Sequence, residues 1–319
     1  MLLTRFIAGI SSVVLLALGA SVACGQAFPN KPIRILTGSP GGGSDAIARQ
    51  IAQGISGPLG QQVIVMNYGG GRTADVLLQS PPDGYSISVN GNNTWTATLF
   101  RKLGYDAVRD FAPVTLVARD VNVVAVHPSL PVKSVKELIA LAKARPGQLN
   151  FASSTFGSPQ FMGTEIFKSM AGINIVGIPY KGVRPGLTAL VSGEVQMIIA
   201  DPGLVGPLAE AGKLKVLAVT SVAPTALAPG LPTVGASGLP GYEWVGLTGM
   251  FVPIKTPKNI IARLNEEIVR FLNRPEVKER FLSDGNEVVA STPEEFDAAI
   301  KTDRSKVAKV VKDAGIKLE

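Results

Sequence analysis

The chain has 319 residues, with 31 Lys and Arg against 24 Asp and Glu, a net charge of +7, one cysteine and one histidine. One cysteine excludes a disulfide framework, and one histidine excludes a multi-histidine metal centre. The basic residues are scattered among acidic ones. They describe a solvated surface with a mild positive field, which favours anionic ligands over nucleic acid.

Arg5 is the only charged residue in the first 27, followed by an apolar run from Phe6 to Leu18 and small residues at Gly19, Ala20, Ser21 and Ala23. A positive start, a short apolar core and a small-residue exit predict a secretory signal. The run is shorter than the roughly 20 residues of a membrane span, so a retained anchor is the weaker alternative. Gly25-Gln26-Ala27 predicts cleavage before Phe28. Val22-Ala23-Cys24 offers a second outcome, lipid anchoring at Cys24, although Ser21 stands where a lipoprotein box has Leu. Cleavage after Ala27 leaves a mature chain without cysteine, long enough for two domain-sized cores.

Strand and helix patterns then alternate. Ile33 to Thr37 reads as a strand. Ser44 to Ile55 reads as a helix capped by Ser44, with Ile47, Ile51 and Ile55 on one face. Strands follow at Val63–Val65 and Tyr85–Val89, then two apolar runs, Val114–Val117 and Val121–Val126. Ser134 and Glu137 form a capping box for a helix to about Ala144. Asn150–Ala152, Ile175–Ile178, Val195–Ala200 and Val216–Thr220 read as buried strands, with a helix over Pro159–Met170. After a Pro/Gly-rich connection, Leu247–Val252 is a further strand. Thr256-Pro257 and Thr292-Pro293-Glu294-Glu295 open two terminal helices. Such alternation predicts an α/β chain of parallel sheets. The expected domains are a signal peptide (1–27), the first part of lobe 1 (28–126), lobe 2 (127–220) and a return segment (221–319) that adds a strand to lobe 1 and packs helices across both lobes.

In open parallel sheets, ligands bind beyond the carboxyl ends of the strands, so the loops there carry the candidate site. Pro40, Gly42, Gly43, Ser44 and Asp45 lie in a glycine-rich turn that opens a helix. Its free amides and positive dipole end suit a carboxylate or phosphate. The turn also fits Gly-x-Gly-x-x-Ala, but Gln61 to Asn67 holds no acid for a ribose. A phosphate-loop reading of Gly206 to Lys213 fails on spacing and on Leu214. A second candidate loop holds Ser153, Ser154, Thr155 and Gly157, whose hydroxyls and amides could hold a carboxylate. Tyr180 and Asp201 end later strands. His127, before a proline in an apolar run, has no triad or metal partner in sequence. No catalytic residue, metal or cofactor is assigned.

These segments carry a resemblance. Phe28-Pro29-Asn30-Lys31-Pro32-Ile33, Pro40–Asp45, Pro82-Asp83-Gly84-Tyr85, Asp110–Val114, Pro179-Tyr180-Lys181-Gly182, Leu231-Pro232-Thr233-Val234 and Pro293–Phe296, in this order, resemble the periplasmic receptors of tripartite tricarboxylate transporters, the Bordetella uptake gene family. The resemblance implies a two-lobed, type II-like periplasmic-binding-protein fold with a cleft between the lobes. It also implies a periplasmic, monomeric receptor that passes a small organic acid to inner-membrane permease subunits, without catalysis and without nucleic acid. Gly42–Asp45, Asn67 and Ser153–Gly157 would hold the ligand. Departures at Gly38-Ser39, in the short loop after Asn67, at Phe161 and at Asp201-Pro202 keep any named ligand from being carried over. Phe156, Phe161 and Tyr68 would suit a partly aromatic acid. A sensing receptor and an exported enzyme using cleft carboxylates are the competing functions.

Overall fold

The computed structural model describes residues 28–69, 71–153 and 158–313. The expected signal peptide with Cys24, and Ser154, Thr155, Phe156 and Gly157, lie outside the described residues.

Strand β1 (Ile33–Thr37) leads through α1 (Gly43–Leu59) to β2 (Val63–Asn67), and α2 (Thr73–Leu78) leads to β3 (Ser86–Gly91). The short α3 (Asn93–Thr96) and α4 (Ala107–Asp110) precede β4 (Phe111–Val121) and β5 (Val123–Val126). Next come α5 (Val135–Ala144), β6 (Asn150–Ser153), α6 (Pro159–Ala171), β7 (Val176–Pro179), α7 (Val183–Val191), β8 (Met197–Ala200), α8 (Pro202–Glu210) and β9 (Lys215–Val219). The chain closes with β10 (Val245–Pro253), α9 (Lys258–Leu272), α10 (Pro275–Ser283), β11 (Glu287–Val288) and α11 (Pro293–Asp313).

The strands form two sheets, β11-β4-β10-β3-β1-β2 and β7-β6-β8-β5-β9. Apolar alternation explains the helices that cover them. Ile47, Ile51 and Ile55 of α1 are buried against the first sheet together with Leu264 and Ile268 of α9. Their spacing of four places them on one face of a 3.6-residue turn. Gly60 closes α1 in the left-handed region, at φ 65°; its N–H donates to Gly57 O (2.9 Å) and Gln61 N–H donates to Ser56 O (3.3 Å). The Thr292–Glu295 capping box forms as expected, with Glu295 N–H donating to Thr292 Oγ1 (3.2 Å) and Thr292 N–H to Glu295 Oε2 (2.9 Å). Ser134 caps α5 through Glu137 N–H (3.2 Å), while the Glu137 carboxylate accepts from Lys133 N–H (2.7 Å).

Several expectations are corrected. The sheets are mixed: β10 runs antiparallel between β3 and β4, and β5 antiparallel between β8 and β9. These are the strands by which the chain enters a sheet after crossing from the other, so they arrive from the opposite end. Apolar composition carries no record of direction. The apolar runs around Val114–Val126 divide at Asn122, because Arg119 and Asp120 stay in register with Leu247 and Gly246. β5, placed at the end of the 28–126 segment from sequence, therefore pairs in the second sheet, and the chain changes sheets at Asn122. Asn122 and Thr220 fasten the two crossovers: Asn122 N–H donates to Thr220 Oγ1 (3.0 Å) and Thr220 N–H to Asn122 O (2.8 Å). Gly42, not Ser44, is the N-cap of α1, with no side-chain cap. Pro257 is the N-cap of α9, while Thr256 turns its hydroxyl to Pro253 O (2.7 Å).

Helix α11 spans both cores. Phe296 and Ile300 pack with Trp95 and Phe251, whereas Val307 packs with Val124, Phe167 and Trp244 over the second sheet. The Phe296 ring lies against Gly249, where a Cβ would stand 2.0 Å from Cζ. Gly249→Ala is therefore expected to overpack this contact and cost about 1–3 kcal/mol in chemical denaturation. An unchanged midpoint and slope would contradict it.

Candidate ligand-binding site

Strand direction places the site. β4 runs parallel to β1, β2 and β3, since β10 is antiparallel to both β3 and β4. The carboxyl ends of β1, β2 and β3 thus lie at the crossover end of the first sheet. In the second sheet Val123, the first residue of β5, pairs with Ala200, the last of β8, and β6 and β7 run with β8. Their carboxyl ends also point to the crossovers. The two sheets present their loop-bearing ends toward one shared region.

The loop after β1 is held from within. Asp45 is 3% exposed and its Oδ2 accepts from Gly41 N–H (2.9 Å) and Arg49 Nε (3.1 Å). Asn67, at the end of β2, donates through Nδ2 to Asp45 Oδ1 (2.8 Å) and Gly38 O (2.9 Å), and its Oδ1 accepts from Arg49 Nη2 (3.1 Å). The Asn67 hydrogen bond foremost, aided by Arg49 and Gly41, holds the Asp45 carboxyl down to about 2 against burial. Gly41 sits at φ 76°, which a side chain would strain. The result is a turn whose outer surface at Pro40, Gly42 and Gly43 is exposed. The amides of Gly43, Ser44 and Asp45 have no backbone acceptor among the described residues. They stand at the positive end of a 17-residue helix, a setting that attracts a carboxylate.

Asp45 and Asn67 were expected among the ligand contacts, and the structure commits their side chains to one another and to the loop. Arg49 was not expected; its i,i+4 spacing from Asp45 was the available signal.

On the second sheet, Ser153 ends β6, 7% exposed, and its carbonyl accepts from Tyr180 N–H (2.8 Å). The Tyr180 hydroxyl points to Glu194 Oε1 (2.7 Å), and partial burial with that contact pushes it up to about 12. Its hydroxyl is thus directed toward the end of α7. Asp201 caps α8 by accepting from Gly203 N–H (2.7 Å). It also lines a cavity of about 600 Å³ between the start of α8 and the Leu282–Gly285 turn of the first sheet's side. Phe161 and Tyr68 pack against core clusters, one over each sheet. His127 lies at the opposite end of β5 from the crossovers, with Nδ1 bonded to Ser129 Oγ (2.7 Å). Among the described residues no group of three or more His, Cys, Asp or Glu is placed to hold a metal, and no helix is long and apolar enough to cross a membrane.

Two lobes joined by paired crossovers, with the loop-bearing ends of their sheets turned to one region, make the two-lobed fold of periplasmic solute-binding proteins. Residues 47–316 match the model of the tripartite tricarboxylate transporter family receptor, TctC, and the chain belongs to that family. It is similar to Protein BugT of Bordetella pertussis, at 31% identity over 99% of both chains. Among solved structures it resembles R. palustris Rpa4515 with adipate, at 32% identity and TM-score 0.75, covering 92% of this chain and 100% of that one. MatC from Rhodopseudomonas palustris with bound malate is 27% identical, TM-score 0.71, over 89% and 100%.

Proposed function

We propose that this chain is a periplasmic receptor that captures a small organic acid between its lobes and hands it, unchanged, to the permease subunits of a tripartite transporter. The observation that carries this reading is the Gly41–Asp45 turn. Its outward amides are free while its only carboxylate is neutralised internally by Arg49 and Asn67. That arrangement offers an anion donors without repulsion. Adipate and malate in the two related structures are acids of the same kind. The division that accompanies this reading is a cleaved leader at 1–27, a first lobe to Val121 rejoined from Val245, and a second lobe between, working as a monomer. Ser154, Thr155 and Gly157 complete the ligand contacts from the second lobe.

A thermal-shift screen of mono-, di- and aromatic carboxylates tests it. A true ligand at a hundredfold excess over Kd adds about 2.7 kcal/mol. The acid should be recovered chemically intact after incubation. No response across the set from demonstrably folded protein would sink the reading, and a converted ligand would replace it with catalysis.

A further inference from the structure

One carboxylate at the crossovers has no donor beyond its own backbone amide. Asp120, at the end of β4, is in register with Gly246 of β10. A Cβ at position 246 would lie 2.1 Å from Asp120 Oδ1, so the carboxylate occupies the space that glycine leaves. Its neighbour Arg119 is engaged elsewhere, with Nε 2.7 Å from Glu287 Oε2 of β11. Asp201, at the start of α8, adds a second negative charge; one of its oxygens is given to Gly203 N–H, and the other faces the bare Cα of Gly285. Strand β10 contributes Gly246 and no charge. Among the described residues no side chain donates to Asp120, whose carboxylate accepts only from its own backbone N–H. Burial, and then the charge of Asp201, push Asp120 up to about 6. It keeps acceptor capacity that no side chain uses, and it sits where the loop-bearing ends of both sheets converge.

We propose that Asp120 is a specificity-determining residue of the cleft, accepting a hydrogen bond from a hydroxyl or ammonium group on the bound acid, so that the receptor prefers hydroxy or amino acids to the matching plain diacids. This rests on the organic-acid reading above. The free amides of the Gly41–Asp45 turn take the carboxylate, and Asp120 reads the donor. A desolvated carboxylate left unpaired by a plain diacid costs affinity that a donor-bearing ligand recovers.

Calorimetric titration of the full-length mature protein with succinate, malate and aspartate, and with glutarate, 2-hydroxyglutarate and glutamate, reads this directly. Within at least one series the donor-bearing acid should bind roughly ten- to a hundredfold tighter than the plain one. Asp120→Asn, which removes a buried charge at constant size, should keep the fold and shrink that ratio severalfold, most for the ammonium ligand. Gly246→Ala should shrink it too, by displacing the carboxylate with the charge intact. Melting curves confirm folding of both. Equal binding within each series, or a preference that survives both variants, overturns the proposal while leaving the receptor reading in place. Absence of binding by every acid overturns both.

Discussion

Replacing Asp45 by alanine is expected to weaken organic-acid binding at least tenfold and to lower stability by about 2–3 kcal/mol. The side chain is 3% exposed and makes three hydrogen bonds, to Gly41 N–H, Arg49 and Asn67. Hydrogen bonds to charged groups contribute roughly 1.5–3 kcal/mol, and their loss strands the partners. Without the carboxylate Gly41 N–H loses its acceptor, the turn keeps only the Gly42 N–H to Ser39 O bond (3.2 Å) and the Asn67 contact to Gly38 O, and the amides of Gly43 and Ser44 are held less firmly in one direction. The loss in affinity is thus one of preorganisation, and it should appear mainly as faster ligand release. The pH profile adds a second readout. Asp45 is held down to about 2, so its contribution is fully present above the ordinary carboxylate range and disappears as pH falls toward 2. The difference in stability between wild type and variant should stay flat from pH 8 to about 5 and narrow below 4. Unchanged affinity in Asp45→Ala would show that the turn is not the anion site.

Trp95→Ala is expected to be the most destabilising single change, at about 4–5 kcal/mol in guanidinium denaturation. Trp95 is 0% exposed. Its ring lies 5.8 Å from Phe251 and 5.6 Å from Phe296, the latter edge-on, and its Nε1 donates to Asp303 Oδ2 (2.8 Å). Those contacts tie α11 to the first sheet. Arg304 strengthens the same junction by donating to Thr98 Oγ1 (3.0 Å) and by pairing with Asp106 (3.3 Å). Burial raises Asp303 to about 6, against the lowering effect of the indole hydrogen bond. A raised carboxyl opposes folding once ionised, and removing the indole raises it further. The deficit of Trp95→Ala should therefore grow from pH 5 to pH 8. Trp95→Phe keeps most of the packing but not the donor, and should retain the pH trend with a smaller loss of about 1–3 kcal/mol. A deficit independent of pH in both variants would mean that Asp303 does not depend on the indole.

The local devices of this protein were legible along the chain. The isoleucine face of α1 and the Thr292–Glu295 box depend on neighbours three and four residues apart, and the glycine-rich turn opening α1 depends on adjacent residues. That turn by itself pointed only to an anion, a carboxylate or a phosphate. Strand direction was not legible, because β5 and β10 carry the same apolar runs as their parallel neighbours, and their sense is imposed by crossovers joining residues about a hundred positions apart. The break at Asn122 was hidden for the same reason: Arg119 and Asp120 fall between the two apolar runs, and only their pairing with Leu247 and Gly246 keeps them in the strand. Within the site, sequence pointed to Asp45 and Asn67 as residues of the ligand loop. Only the packed structure shows that they grip each other and leave the amides of Gly43, Ser44 and Asp45 without a backbone acceptor. Side-chain identity sets what a residue can bond. The tertiary fold decides which of those bonds are already used before a ligand arrives, and at Asp120 it leaves one carboxylate with no side-chain donor.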